Sequence, residues 1–276
     1  MNASAKIKLI AADMDGTLLN GQKQISRQNI HALKTAAERG IHIAICSGRL
    51  CGDISLFALD AGLSHCHILS MNGAYCLDRP CGTPYVEHLL EPEALNACLE
   101  ILGEYDITYG CFGQNRMVAM VSKNEVKTKY WGTQRGREGA PEYLDGPEAL
   151  QETIARGVSK IVYLEQRAPE RLVAIRSKLL RVPGVEVTAS AENNLEVMPL
   201  GICKGIAVKE LAERLNFSAE NVMTIGDYDN DLSMIAYAGY GVAMGNASGA
   251  VKAAARYVTK SNLEDGVAEA IQRWAL

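Results

Sequence analysis

The 276-residue sequence contains no apolar run near the roughly 20 residues that a membrane-spanning helix needs, so a bilayer span is not expected. It has no basic excess, with 28 Lys and Arg against 32 Asp and Glu and a net charge of -4. A dedicated binder of nucleic acid or of an acidic membrane surface would show the opposite balance. Its 8 cysteines form no C-x-x-C pair, and a chain this long does not depend on a disulfide framework. They are expected to be reduced and mostly buried. Low-complexity tracts and internal repeats are missing, charge runs are short, and a hydrophobic content of 48% argues against disorder. The opening residues show neither a signal-peptide apolar region nor a small-residue cleavage site. The simplest expectation is a cytoplasmic protein.

What the sequence does have is an alternation of short apolar runs and helical patterns. Residues 7–12 form a compact apolar run ending at acidic residues, which reads as a buried parallel strand. Ser26 is a good N-cap for a helix carrying Ile30, Leu33 and Ala37, and Gly40 ends it. A second strand over residues 41–45 leads into Cys46-Ser47-Gly48-Arg49, a helix ends at Gly62, and residues 67–70 form a third strand. The same grammar returns late in the chain. There a helix begins near Lys204, a strand over 221–225 ends at Gly226-Asp227, and helices are expected near 229–237, 247–255 and 262–274. Strand–helix–strand repetition implies parallel βαβ units. The fold class expected is therefore α/β, a Rossmann-like parallel sheet with helices on both faces. Between the two blocks the texture changes to α+β, with Gly146 and Pro147 among the turn markers. The expected division is a discontinuous core, residues 1–84 and 190–276, with an inserted domain over 85–189.

The chemistry concentrates at Asp13-Met14-Asp15-Gly16-Thr17-Leu18, directly after the first strand. Ligands of open α/β sheets gather at the carboxyl ends of strands, and Gly16 permits a sharp turn there. D-x-D-G-T-L in that position resembles the first signature of the haloacid-dehalogenase-like hydrolases. Ser47, Lys204 and Gly226-Asp227-Tyr228-Asp229-Asn230-Asp231 are similar to the other three signatures, in order. Ser70-Met71-Asn72-Gly73-Ala74 and Val242-Ala243-Met244-Gly245-Asn246-Ala247 resemble the Cof-type branch, in which the insert is a type IIB cap.

This resemblance implies a Mg2+-dependent phosphomonoester hydrolase acting on a small phosphorylated metabolite, sugar phosphates foremost, through an aspartyl-phosphate. It makes Asp13 the nucleophile and Asp15 the general acid and base, its neutral form favoured by crowded carboxylates. Asp13, the main-chain carbonyl of Asp15 and Asp227 become magnesium ligands, since a hard dication suits carboxylate, water and phosphate oxygens. Ser47, the N–H of Gly48 and Lys204 bind the phosphoryl oxygens. Asn230 contacts phosphate or a metal-bound water, and Asp231 supports the metal shell or orients Lys204. Tyr228 departs from the small polar residue common at its position. A phosphotransferase or mutase sharing the intermediate, and a catalytically silent metabolite-binding module, are the other readings. No nucleic-acid or membrane partner is expected, and the oligomeric state is a monomer or small homo-oligomer.

Other motifs carry less. Asp227-x-Asp229-x-Asp231 begins like an EF-hand loop but has Leu232 at its sixth position and Ala238 at its twelfth. Gly239-x-Gly241-x-x-x-Gly245 has the wrong spacing for a dinucleotide site. His65-Cys66-His67 is not joined by further ligands at zinc-site spacing. From Lys123 to Arg137 five cations accompany the single acid Glu125, which reads as a solvated face or as a surface attracting anionic substrate. Tyr130 and Trp131 could pack or stack there.

Overall fold

The computed structural model describes residues 7–122, 137–165, 168 and 170–276. The five cations considered together, with Tyr130 and Trp131, lie outside the described residues except for Arg137, which pairs with Asp60 at 2.7 Å. The chain opens with β1 (Leu9–Ala12), α1 (Arg27–Glu38), β2 (His42–Cys46), α2 (Cys51–Asp60) and β3 (His67–Ser70), then turns back through β4 (Tyr75–Leu77) and β5 (Pro84–Glu87). Next come α3 (Pro92–Gly103), β6 (Thr108–Gly113), β7 (Arg116–Met120), β8 (Glu142–Asp145), α4 (Pro147–Arg156), β9 (Lys160–Leu164), α5 (Arg171–Leu179), β10 (Val185–Thr188) and β11 (Asn194–Pro199). The chain closes with α6 (Lys204–Arg214), β12 (Val222–Gly226), α7 (Leu232–Tyr237), β13 (Tyr240–Ala243), α8 (Gly249–Ala254), β14 (Tyr257–Val258) and α9 (Gly266–Trp274).

The larger sheet runs β14-β13-β12-β1-β2-β3-β4-β5. It is parallel as far as β3 and antiparallel beyond. Side chains alternate across its strands. Ile10, Ala12, Ile43 and Ile45 pack with Leu33 and Ala36 of α1 and with Val267 and Ile271 of α9. Leu9, Ala11, Ala44 and Cys46 pack with Val208 and Leu211 of α6 and Met234 of α7. Burial on both faces explains why these strands read as unbroken apolar runs. Ser26 caps α1 by accepting the Asn29 N–H at 3.1 Å.

The smaller sheet runs β10-β11-β9-β6-β7-β8 and is antiparallel except between β7 and β8. One face presents Cys111, Ile161, Tyr163, Leu195 and Val197 to Leu95 and Cys98 of α3 and Leu172 and Ile175 of α5. The other face carries Phe112, Met117, Ala119 and Val162, which join the same apolar cluster as Ile10 and Ile45. The insert is thus packed on the core by shared hydrophobic burial.

Several local expectations change. Gly146 and Pro147 do not mark a mere turn, because Pro147 is the first residue of α4 and Gly146, at φ 95, feeds it. A proline at a helix's first position gives up an N–H that is unpaired anyway. The helix near residue 229 divides into a short 3-10 turn, Asp229–Asp231, and α7. The last helix starts only at Gly266, because Asp265 adopts the left-handed conformation at φ 59. Taken by sheet, residues 85–87 of the expected insert lie with the larger sheet and residues 194–199 of the expected core lie with the smaller one.

Candidate active site

In the larger sheet β1 lies between β2 and β12, with Ala12 opposite both Ile45 and Ile225. Strand order reverses there, leaving a crevice at the carboxyl ends. Asp13 follows β1 and donates its N–H to the Ile225 carbonyl at 2.9 Å, Ser47 follows β2, and Asp227 follows β12. The sheet thereby joins residues that are far apart in the chain. One carboxylate oxygen each from Asp13, Asp227 and Asp231 lies within 4.8 Å of the others. Among the described residues this is the one metal-capable group of three or more, and His65-Cys66-His67 does not form another. His67 pairs instead with His42, nitrogen to nitrogen, at 3.3 Å.

Lys204 opens α6 on the buried side of this cluster. Its side chain is 1% exposed, and its Nζ donates to Asp13 Oδ1 and Asp231 Oδ1, both at 2.6 Å. Asp231 uses its other oxygen to accept the N–H groups of Asp227 at 2.8 Å and Tyr228 at 3.1 Å. It therefore orients the lysine and the Asp227 and Tyr228 backbone together. Thr17 Oγ1 donates to Asp227 Oδ1 at 2.8 Å. Gly16 lies against the same carboxylate at φ +80, and a Cβ there would overlap it.

Three carboxylates around one buried ammonium leave an excess of negative charge. Burial, then the nearby Asp231, pushes the Asp13 carboxyl above its ordinary range despite Lys204. Burial and Asp231 likewise raise Asp227 to about 6. Unit charges 4 Å apart repel by about 4 kcal/mol at an effective dielectric of 20. The donor set is all hard oxygen, which fits a small dication such as magnesium.

Asp15 departs from expectation. Its side chain is 42% exposed and is engaged by two cations. It accepts Arg49 Nε at 2.6 Å, an Arg49 terminal nitrogen at 2.8 Å and Lys23 Nζ at 3.0 Å. Burial alone would raise this carboxyl, but Arg49 and Lys23 outweigh it and hold it down to about 2. The crowding that was to keep Asp15 neutral falls on Asp13 and Asp227 instead.

Ser47, Gly48 and Asn230 line a cavity of about 420 Å3 together with Asp13 and Asp15. The insert roofs it with Phe112, Tyr143, Val162, Leu164 and Asn194. Asn72, at φ 55, braces the Ser47 loop from below, giving its N–H to the Ser47 carbonyl at 3.0 Å, and accepts from Asn230 Nδ2 at 3.3 Å. Residue-level reasoning missed Arg49, Asn72, Lys160 and Glu196. Lone charges inside the apolar runs of β9 and β11 were the available signal, because a strand position flanked by buried neighbours rarely takes Lys or Glu unpaired.

Clustered carboxylates at the carboxyl edge of a doubly wound sheet, roofed by an inserted α+β unit, define a capped α/β enzyme. A family model described as haloacid dehalogenase-like hydrolase matches residues 10–271, and the chain belongs to that family. It is 33% identical over 270 residues to the 5-amino-6-(5-phospho-D-ribitylamino)uracil phosphatase YcsE of Bacillus subtilis, covering 98% of this chain and 96% of that one. It is 30% identical over 271 residues to the pyridoxal phosphate phosphatase YbhA of Escherichia coli, covering 96% and 97%. The crystal structure of a haloacid dehalogenase-like hydrolase from Bacteroides thetaiotaomicron superposes with a TM-score of 0.80 at 33% identity, over 97% of this chain and 99% of that one. The protein is a phosphatase. Among the described residues no helix is long and apolar enough to cross a membrane.

Proposed function

We propose that the chain is a magnesium-dependent phosphomonoester hydrolase that works through an aspartyl-phosphate on Asp13. The observation that carries this is the meeting of Asp13, Asp227 and Asp231 around the Lys204 ammonium at the ends of β1 and β12. Asp13, Asp227 and the main-chain carbonyl of Asp15 would hold the ion. Bound there, magnesium would offset the repulsion between the Asp13 carboxylate and a phosphate dianion.

An Asp13 carboxylate oxygen attacks phosphorus, the bond to the leaving oxygen breaks, and Asp15 in its protonated form gives that oxygen a proton and is left as the carboxylate. Lys204, with the Ser47 hydroxyl and the Gly48 N–H, holds the phosphoryl oxygens as charge spreads over them. Asn230 faces the same cavity and supports their placement. Water then attacks phosphorus, Asp15 accepts its proton, the bond to Asp13 breaks, and orthophosphate leaves. Asp15 as held here is a carboxylate ready for that second step. To protonate a leaving oxygen in the first step it must part from Arg49 and Lys23.

The cavity of about 420 Å3 fits a small phosphorylated metabolite. Sugar phosphates are the first candidates, and relatives named for a phosphorylated ribitylaminouracil and for pyridoxal phosphate add flat heterocycles. The free thiols of all the cysteines support a reducing, cytoplasmic setting. The test is a panel of phosphorylated metabolites assayed with magnesium, with EDTA and with Asp13→Asn. Activity that survives the substitution sinks the nucleophile assignment. Phosphate passed to an added alcohol instead of water would make the protein a transferase.

A further inference from the structure

We infer that Lys160 is a positioning residue, supplied by the insert, that completes the phosphate-holding loop at Gly48. The inference rests on the reading that Ser47 and Gly48 hold the phosphoryl oxygens.

Two peptide planes flank Gly48, and each is fixed from a different side. Because the peptide unit is planar and trans, the Asn72 N–H bound to the Ser47 carbonyl at 3.0 Å sends the Gly48 N–H the opposite way. The next plane is held by the Lys160 ammonium, which donates to the Gly48 carbonyl. Asn72 belongs to the core and Lys160 to β9 of the insert. Glycine is the residue least able to hold its own conformation, and apart from Lys160 the Gly48–Arg49 plane is tied by the long 3.3 Å bond from the Arg49 N–H to Ser47 Oγ.

The anchor is itself a built structure. Lys160 is 2% exposed, lies 3.5 Å from Glu196 Oε1 and sits over the Phe112 ring at 4.7 Å from its centroid. Glu196 accepts from Ser190 Oγ at 2.8 Å and from the Asn72 side-chain amide. The Asn72 side chain thus touches the insert's carboxylate while its backbone holds Ser47. A Cβ on Gly48 would lie 3.2 Å from Lys160 Nζ and 3.3 Å from both Asn72 Oδ1 and Glu196 Oε1. Three chain segments close around one glycine, and two of them come from the insert. The consequence is that the second plane has its carbonyl fixed only while the insert is seated, and otherwise keeps just the Arg49 N–H bond to Ser47 Oγ.

A buried ion pair is by itself weak evidence for anything beyond packing, so the test separates the two. Orthophosphate affinity is measured calorimetrically in magnesium for the wild type, Lys160→Met, Lys160→Arg and the double variant Lys160→Met/Glu196→Leu, beside their melting temperatures and kcat and KM. Lys160→Met is expected to weaken orthophosphate at least tenfold and to lower kcat by a similar factor whatever the leaving group. Lys160→Arg, which can still donate to the Gly48 carbonyl, is expected to recover most of it. In the double variant no unpaired charge is buried, so melting returns to near the wild-type temperature while orthophosphate binding stays weak. A double variant that binds orthophosphate within twofold of the wild type overturns the inference and leaves the pair a packing device. A wild type that binds orthophosphate but hydrolyses no phosphomonoester defeats the hydrolase reading, and the affinity comparison still decides the role of Lys160. A wild type that binds no orthophosphate defeats both.

Discussion

Arg49 grips the Asp15 carboxylate with two bonds, at 2.6 and 2.8 Å, and so keeps it ionised in a site where burial alone would do the reverse. The depressed carboxyl favours the folded state above about pH 4, where the unfolded group is ionised. That contribution is lost as pH falls through about 2. Arg49→Met leaves burial opposed only by the exposed Lys23. With hydrolysis of the aspartyl-phosphate limiting turnover, the acid limb of the kcat profile, which reads the Asp15 carboxylate used in that step, is expected to move up by about one pH unit or more. An unshifted limb would detach Asp15 from proton transfer.

Asp13→Asn should reduce phosphatase turnover by at least about a thousandfold. Burial and the neighbouring Asp231 raise the Asp13 carboxyl, so when no dication is bound its charge is disfavoured relative to water despite Lys204. The same variant is therefore expected to melt no lower than the wild type in EDTA, an active-site group trading stability for function. Differential scanning calorimetry checks the second half independently of the first.

Magnesium affinity should depend on pH through Asp227. Its carboxyl is pushed up to about 6 and that of Asp13 is raised as well, and a ligand must be deprotonated to bind, so affinity is expected to fall about tenfold per unit or more as pH drops below 6. Titration calorimetry with MgCl2 from pH 5 to 8 reads this directly. Asp227→Asn should weaken magnesium at every pH and flatten the dependence.

Gly16→Ala combines two penalties. Its φ of +80 disfavours any side chain, and the new methyl would overlap the Asp227 carboxylate. Strain of this kind costs about 1–3 kcal/mol, readable as a lowered urea midpoint. Magnesium affinity should fall with it, because Asp227 is the group displaced.

The parallel core was legible because strands buried on both faces carry an unbroken apolar code, and Asp13, Ser47, Lys204 and Asp227 each stand where such a strand or its following helix begins or ends. What escaped was set by pairing between distant segments. The partner of Glu196 is not visible until β11 is placed beside β9, and Pro147 reads as a turn marker until α4 begins at it. The state of Asp15 escaped for the same reason, since nothing local to D-x-D announces that Lys23 and Arg49 converge on it.

The sheet order has a consequence for synthesis. β1 needs β12 as its second neighbour, and Thr17 and Asp227 are 210 residues apart. At about 5–20 residues per second on the ribosome, that separation is roughly 10–40 s during which one side of β1 stays unpaired. An unpaired parallel strand is a template for wrong partners. A nascent chain stalled before residue 222 would hold the phosphate loop and the nucleophile yet be inert and adhesive.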